Sequence, residues 1–595
     1  MLTHAAEALR QSPVFRDLRP EVIDLIAAAL EPVVVHGGST LFRQGDPGDA
    51  AYVVLSGRLR IVREGDAGPT ILRELGRGEV VGEFALLTGE PRSASVVAIR
   101  DAELGRLPAA VFGELMRDHP AIGVALSRTL AVILASGGPA PSRRTRPSVV
   151  VLHPVGGERD LTAFAHELAA AFRTVGSTAV LTAADAREAL GAEGGDAAVV
   201  ARWLQRVEAE HVHLLCVVGA TDPRWRDVAR RQADLILDVL PAAALPAATA
   251  EPVFSSGGCR RELVVVRPPA GPPPVGTAAW MDRQGYAARH HIRTGDAGDL
   301  ARVARIVTGT SIGLALGGGA ARGAAHYGVI RALQEAGVPI DEVGGTSMGS
   351  FVAAQLASGM TLEEMVERLA IGWARHHPHR AFTLPIIGAV RGQALEAFLT
   401  ETFGTLTYED ALIDCFACSA NLTTATASVH RRGPVVQGCL ASMAVPGIGP
   451  AMTMPDGSLH VDGAVVNNLP ADELRSGTTI AVSVSDRVPR TSGYAATPTA
   501  WQVLRDRWRD GASAPYYPGL FETVLESMLL GGARRTEEAF LRADLALRPP
   551  IAHLGLFAFD KVEEFIAIAY ADALGRVGPW WAARQAESAG TERVR

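Results

Sequence analysis

The stretch "DEVGGTSMGSFVAAQLASG" (341–359) puts a serine among small residues where a short strand-like run gives way to a helix-like one. Gly345-Thr346-Ser347-Met348-Gly349 spells G-x-S-x-G at the junction. Glycines two before and two after the serine let strand and helix approach closely. The chain can then turn sharply and leave Ser347 exposed at a helix N-terminus. The helix dipole there favours a developing negative charge. Five residues of this kind are common by chance, so their meaning rests on the flanking sequence.

Upstream lies "SIGLALGGGAARGAAHYG" (311–328), a buried strand ending in Gly317, Gly318 and Gly319, with Arg322-Gly323 entering a helix. A dinucleotide loop is excluded: G-x-G-x-x-G fails from Gly317, whose last position is Arg322, and from Gly318, whose third is Ala320. No Walker lysine follows either. A glycine cluster that aims backbone N–H groups at one point can instead hold an oxyanion. Downstream, "SLHVDGAVVNNLP" (458–470) ends a strand at Asp462 and turns at Gly463. A carboxylate there can take the serine proton directly.

Strand-GGGxxRG-helix, GTSMG and DGA, in that order, resemble the patatin-like phospholipase family, and "ASMAVPGIGPAM" (441–452) carries its Ser-x-x-x-Pro-Gly segment. The resemblance implies a Ser-Asp dyad without a catalytic histidine. Ser347 is then the nucleophile and Asp462 the base. Gly345 and Gly349 form the elbow, and the oxyanion hole comes from the backbone of Gly317, Gly318 and Gly319 with Arg322 close by. "VVVLHPVGG", "RRQADLILDV" and "ADLALRPPIAHLGLFAFDKVEEF" look like the neuropathy target esterase branch, so the resemblance covers nearly the whole chain. Members of that branch join cyclic nucleotide-binding domains to a patatin-type lysophospholipase. The departures are a single nucleotide-binding domain, no N-terminal membrane helix, and Ala320 at a position where the family commonly has glycine.

The second informative stretch is "VVGEFALLTGEPRSASV" (80–96). Backbone N–H groups at a short helix start favour a phosphate. Arg92 can close on it with two parallel charge-assisted bonds, and Glu83 can accept from a ribose hydroxyl. These residues look like the phosphate-binding cassette of cyclic nucleotide-binding domains. The resemblance implies that Glu83 meets ribose and Arg92 the cyclic phosphate, with Gly82, Phe84, Ala85, Ser93 and Ala94 shaping the pocket. A cyclic nucleotide, cAMP first, is the expected regulatory ligand. No catalytic cofactor and no metal are expected.

The expected fold is multidomain. A β-barrel-like cyclic nucleotide-binding domain with helices occupies 1–135, and the Gly/Pro/Ser/Arg-rich "SGGPAPSRRTRP" at 136–147 reads as a linker. Strand–helix alternation over 148–305 reads as an α/β intermediate domain. Residues 306–580 read as a patatin-like α/β hydrolase with a central sheet between helices, and 581–595 as a tail. Asp234, in "RRQADLILDV", reads as a structural or interdomain residue.

Rival arrangements are weaker. His460 shares a strand face with Asp462, and His430 and His326 are near in sequence to other motifs, but a triad histidine is expected after the acid, where only His553 remains. "ARHHPHRAF" (374–382) lacks clean metal-ligand spacing and reads as a solvated loop or a cleft wall. Cys415 and Cys418 form a CxxC inside the strand-like "DCFACSANL" and read as packing. Five cysteines in 595 residues argue against a disulfide framework. Net charge of −7, with nearly every basic residue an arginine, gives no reason to expect nucleic acid. No signal-peptide core and no run of ~20 apolar residues is present. The expected location is cytoplasmic, with peripheral membrane contact at the inner face, and the expected substrate is a lysophospholipid or phospholipid. The competing reading is a nucleotide-sensing interaction protein whose hydrolase fold is inactive.

Overall fold

The structure, a computed structural model, describes every residue except 1, 13, 16–17, 66–67, 136–146, 158, 192–195, 220, 246–258, 379–380, 385, 486–490 and 593–595. The expected linker therefore lies outside the described residues, save Pro147. The chain forms two compact units, 1–270 with 279–309, and 271–278 with 310–595.

The first unit opens with two helices, Leu2–Gln11 and Pro20–Ala28, followed by antiparallel strands. Ala50–Arg63 and Ser95–Pro108 are the long central pair, with irregular register at several points. Such bulges bend long strands and let a small sheet curl over its own core, here Val54, Leu59, Val96, Ala98 and Leu104. Next comes a six-stranded sheet, ordered Ala288–Arg293, Arg260–Arg267, Leu235–Pro241, Val149–Pro154, His213–Val217, Thr178–Leu181. All its pairings are parallel. The inner strands are continuous apolar runs such as "VVVL", as burial on both faces requires.

Asp234 joins these two parts of the unit. It is buried, and its carboxylate lies 3.4 Å from the Arg58 guanidinium and 3.2 Å from that of Arg100. It also accepts from the N–H and hydroxyl of Ser148. Arg100 reaches Glu208 as well, at 2.8 Å. Barrel strands thus lock onto the parallel sheet through desolvated charge, and Asp234 serves the interdomain role its sequence suggested.

The second unit holds an eight-stranded mixed sheet. Its parallel centre runs Asp414–Asn421, Glu342–Thr346, Ile312–Leu316, Thr478–Val482, Leu545–Leu547. Thr426–His430 and Leu459–Asp462 both pair antiparallel with Asp414–Asn421. Helices Ala325–Glu335, Met348–Ser358 and Val562–Glu592 share one core with this sheet. A Cβ on Gly328 would fall 2.2 Å from the Ile566 carbonyl oxygen, so glycine is what lets the first and last of these helices cross closely. The expected tail from 581 is a correction: the last helix continues through Pro579 to Glu592, with Trp580 and Trp581 packed on the core. Cys415 and Cys418 are both buried in one strand. Three residues apart, they point to opposite faces.

Candidate functional site

Ser347 follows the strand Glu342–Thr346 and caps the helix Met348–Ser358. Its backbone sits at φ 54°, ψ −127°, a conformation worth ~1–3 kcal/mol of strain in a non-glycine residue. Packing enforces it. A Cβ on Gly345 would lie 2.3 Å from the Gly349 carbonyl carbon, and one on Gly349 would lie 2.2 Å from the Leu316 carbonyl oxygen. Both elbow glycines are therefore required by close approach of strand, helix and neighbouring strand.

A residue the sequence reading passed over as a mere family mark sets the turn. Ser442 Oγ accepts from the Ser347 N–H at 2.8 Å and donates to the Cys418 carbonyl at 2.6 Å. Thr346 Oγ1 donates to the Asn467 carbonyl on the other side. Nothing in single-residue chemistry marks Ser442, because its role depends on three segments distant in sequence.

Asp462 closes the strand Leu459–Asp462 and is 1% exposed. Its carboxylate accepts from the Ala464 N–H at 2.9 Å, and the Ser347 side chain lies close enough to act on it. Burial raises its pKa to about 6, against the opposing pull of the Ala464 N–H and of Ser347. A carboxylate in a dry site with this pKa suits proton acceptance near neutrality. No described histidine bonds either residue. His460 Nδ1 and His430 Nε2 both face Ser419 Oγ, at 2.8 and 2.7 Å. His326 Nε2 donates to the Gly317 carbonyl at 2.8 Å, and burial lowers its pKa to about 4, so it is neutral there.

The glycine loop lies where expected, but its donors differ from expectation. The Gly317 N–H donates to Val482 O and the Gly318 N–H to Asn468 O, so neither is free for an oxyanion. The N–H groups of Gly319 and Ala320 donate to no described residue. The Gly318 carbonyl is fixed by Asn468 Nδ2 and by Ser485 Oγ. Ala320 itself is left-handed, at φ 47°. Arg322 is spent on structure: its guanidinium donates to the carbonyls of Ala552 and Leu554.

Above Ser347 opens a cavity of about 780 Å³, walled mainly by apolar residues such as Met348, Ile386, Ile387, Leu440, Met443 and Ile448. This is the size and character of a site for a long apolar group. Pro378 of the "ARHHPHRAF" stretch lines it too, with Thr383 and Leu384 just beyond that stretch. His379 and Arg380 lie outside the described residues, and His376 pairs with Glu401 at 2.5 Å. Among the described residues no cluster has metal-ligand character, and no helix is long and apolar enough to cross a membrane.

In the first unit, Gly82 (φ 84°) caps the six-residue helix Glu83–Thr88. Arg92 folds back onto its own chain. It donates to the carbonyls of Gly82 (2.9 Å) and Ala50 (2.7 Å), contacts Asp49 at 3.2 Å, and lies over the Phe42 ring. Its buried Nε has no partner among the described residues, which is where an anionic oxygen fits. Burial raises the Glu83 pKa while Arg73 and Arg92 oppose it. Ala85 and Ala94 are buried, and Phe84 and Ser93 are exposed beside them.

Three family models match in series: "Cyclic nucleotide-binding domain" over 32–119, "Neuropathy Target Esterase family P-loop like domain" over 148–308, and "Patatin-like phospholipase" over 314–475. The chain is similar to the "Patatin-like phospholipase domain-containing protein 6" of Pongo abelii, 30% identical over 96% of this chain and 46% of that protein. It is 29% identical to the "Neuropathy target esterase sws" of Drosophila melanogaster, over 93% and 44%. It is 28% identical to the "Lysophospholipase NTE1" of Mycosarcoma maydis, over 97% and 35%. The chain thus spans about half the length, or less, of the curated relatives it matches.

Proposed function

On a chain that carries a cyclic nucleotide-binding domain, a neuropathy target esterase family P-loop-like domain and a patatin-like phospholipase domain in series, we propose a serine esterase that hydrolyses acyl esters of lysophospholipids or phospholipids. The observation that carries this reading is the placement of Ser347, in a strained turn that lines an apolar cavity, beside the buried carboxylate of Asp462.

The acyl chain lies in the cavity and the ester carbonyl meets Ser347 Oγ. Asp462 takes the hydroxyl proton as Oγ attacks. The tetrahedral oxyanion is held by the N–H groups of Gly319 and Ala320, reinforced by the dipole of the helix that Ser347 caps. Collapse expels the alcohol, which takes the proton from Asp462. Water then attacks the acyl-serine and gives its proton to Asp462. The second collapse frees the fatty acid and returns the proton to Ser347. No other group is needed to balance protons.

The cyclic nucleotide cassette gives the enzyme a regulatory input. A nucleotide phosphate would draw Arg92 away from Asp49 and satisfy its Nε. Movement of the barrel strands would be felt at Arg58 and Arg100, which hold Asp234. Regulation requires that the nucleotide bind two states with different affinity. The substrate is carried by membranes, so peripheral contact accompanies catalysis.

The test is fatty-acid release from lysophosphatidylcholine by the wild type, Ser347→Ala and Asp462→Ala, with and without cAMP. Loss of activity in both variants supports the dyad. A wild type inert on a panel of acyl esters would leave a nucleotide-sensing scaffold instead.

A further inference from the structure

The helix Ala500–Asp510, "AWQVLRDRWRD", faces the wrong way for a water-exposed element. Its capping box, Thr499 with Gln502, fixes where it starts. The side it turns inward carries Val503 and Asp506, the latter buried and receiving the Tyr494 hydroxyl at 3.1 Å. The side it turns outward carries Trp501, Leu504 and Trp508, which are 79%, 61% and 90% exposed. At roughly 100° per residue these three side chains fall within about 60° of arc.

Arginines flank the stripe on both sides. Arg505 and Arg509 lie along one edge, each more than 60% exposed, and Arg507 lies along the other. Each of these arginines also has a local partner: Arg505 pairs with the buried Asp506 at 3.0 Å, Arg509 pairs with Asp510 at 2.9 Å, and Arg507 donates to the Tyr517 carbonyl at 3.0 Å. An exposed tryptophan stripe bordered by solvent-facing arginines is the pattern of a helix that lies in a lipid interface, where lipid phosphates can take over the arginines from their local carboxylates. Indole rings then sit at headgroup depth and guanidinium groups meet phosphates.

A second apolar surface is continuous with the substrate cavity. Leu384, Ile386 and Ile387 line that cavity and are 72%, 79% and 76% exposed. The chain runs from Asp510 through residues 511–519 into the helix Leu520–Arg542, whose Val524 reaches the cavity segment at Gly447. A soluble protein seldom leaves so many large apolar side chains bare without a partner surface.

We propose that the Trp501–Leu504–Trp508 face docks on a phospholipid bilayer and that Arg505, Arg507 and Arg509 take lipid phosphates. The proposal gives an anchor to the membrane contact of the esterase reading, but it stands on surface geometry and needs no turnover. It is therefore tested on the full chain carrying Ser347→Ala, by co-sedimentation with phosphatidylcholine vesicles, with and without phosphatidylglycerol. Trp501→Ser with Trp508→Ser should weaken partition by about tenfold or more, given the area two indoles bury. Arg505→Gln with Arg509→Gln should remove most of the preference for phosphatidylglycerol. In the active background, the tryptophan pair should slow hydrolysis of vesicle-borne lysolipid and leave a water-soluble short-chain ester unaffected. Equal vesicle binding by wild type and tryptophan variant overturns the proposal, as does a wild type that binds neither vesicle. A wild-type dimer that the tryptophan variant dissociates, with no vesicle binding, overturns it in favour of a second copy on this face. Both tryptophans are largely exposed, so an unchanged melting temperature is the expected check on folding.

Discussion

Thr346 and Asp462 are brought together by a single strand: Cys418 pairs with Thr346 across one ladder, and the next residue, Ser419, pairs with Asp462 across another. Ser347, one residue past Thr346, therefore meets the carboxylate without any loop having to reach. Gly463 completes the junction, since a Cβ there would lie 2.2 Å from the Cys418 carbonyl oxygen and 3.0 Å from Thr346 Cγ2.

Asp462 should give the acid limb of the pH profile. With its pKa raised to about 6, kcat/KM should fall as pH drops through that value, because the protonated acid cannot accept the serine proton. Asp462→Asn should abolish turnover at every pH and yet stabilise the fold. A folded pKa above the unfolded one means that ionisation costs native stability progressively from about pH 4 to about pH 6, and fully above. Asparagine removes that cost, which is bounded by roughly 3 kcal/mol for a two-unit shift. Thermal melts of both proteins at pH 5 and pH 8 check this: the gain should be larger at pH 8.

Ser442→Ala should damage the nucleophile turn without touching substrate. It leaves the buried Ser347 N–H and Cys418 carbonyl unpaired, a loss of about 1–3 kcal/mol. Because Ser347 shifts in the free enzyme and in every later state, kcat should fall more than KM rises. Steady-state kinetics on a soluble ester separates the two.

Ala320 and Gly349 make a contrasting pair. Ala320→Gly relieves a left-handed alanine but loosens the unfolded chain, so stability should move by less than about 1 kcal/mol and activity should persist. Gly349→Ala drives a methyl into the Leu316 carbonyl, a backbone atom that cannot yield cheaply. Denaturant melts should show a large loss, and turnover should vanish.

Asp49→Asn should tighten cAMP binding. It frees the Arg92 guanidinium from a partner that is 59% exposed, so the gain is limited to about fivefold. Glu83→Gln should weaken binding instead. Isothermal calorimetry on the full chain reads both.

Asp234→Asn should loosen the first unit. It strips a buried anion from Arg58 and Arg100, a loss of about 3–5 kcal/mol for a broken desolvated pair. The flanking arginines hold the Asp234 carboxyl below its usual range against the effect of burial. Its contribution is thus fully present above the unfolded carboxylate value near 4, and is lost progressively as pH falls from there through the lower folded value. Denaturant titration of wild type and variant at pH 7 and pH 3 should show a smaller difference at the lower pH.

The candidate catalytic motifs were legible because their chemistry is local. A serine between close-packed glycines, a glycine run after an apolar strand, and a carboxylate before a turn each carry their own reason. The nucleotide cassette was legible for the same cause. Of the three glycines expected as oxyanion donors, Gly317 and Gly318 are consumed by the neighbouring strand and the Asn468 backbone, and a glycine run says nothing about which N–H groups its neighbours take. Ser442 and Arg322 were likewise opaque, since each acts through carbonyl groups supplied by other segments. The helical end of the chain past 580 was opaque because the contact that holds it, Trp580 and Trp581 against the core, exists only in the packed structure.

The sequence by itself determined the order of the matched domains and the type of each fold and pointed to Ser347 and Asp462 as candidate reacting groups, because those follow from periodicity and from functional groups at fixed spacing. Only tertiary structure decided which N–H groups stay free, how far burial lifts the pKa of Asp462, and which face of Ala500–Asp510 looks outward. Hydrogen-bond availability, desolvation and exposure belong to the packed neighbourhood, and that neighbourhood is assembled from residues the chain order keeps apart.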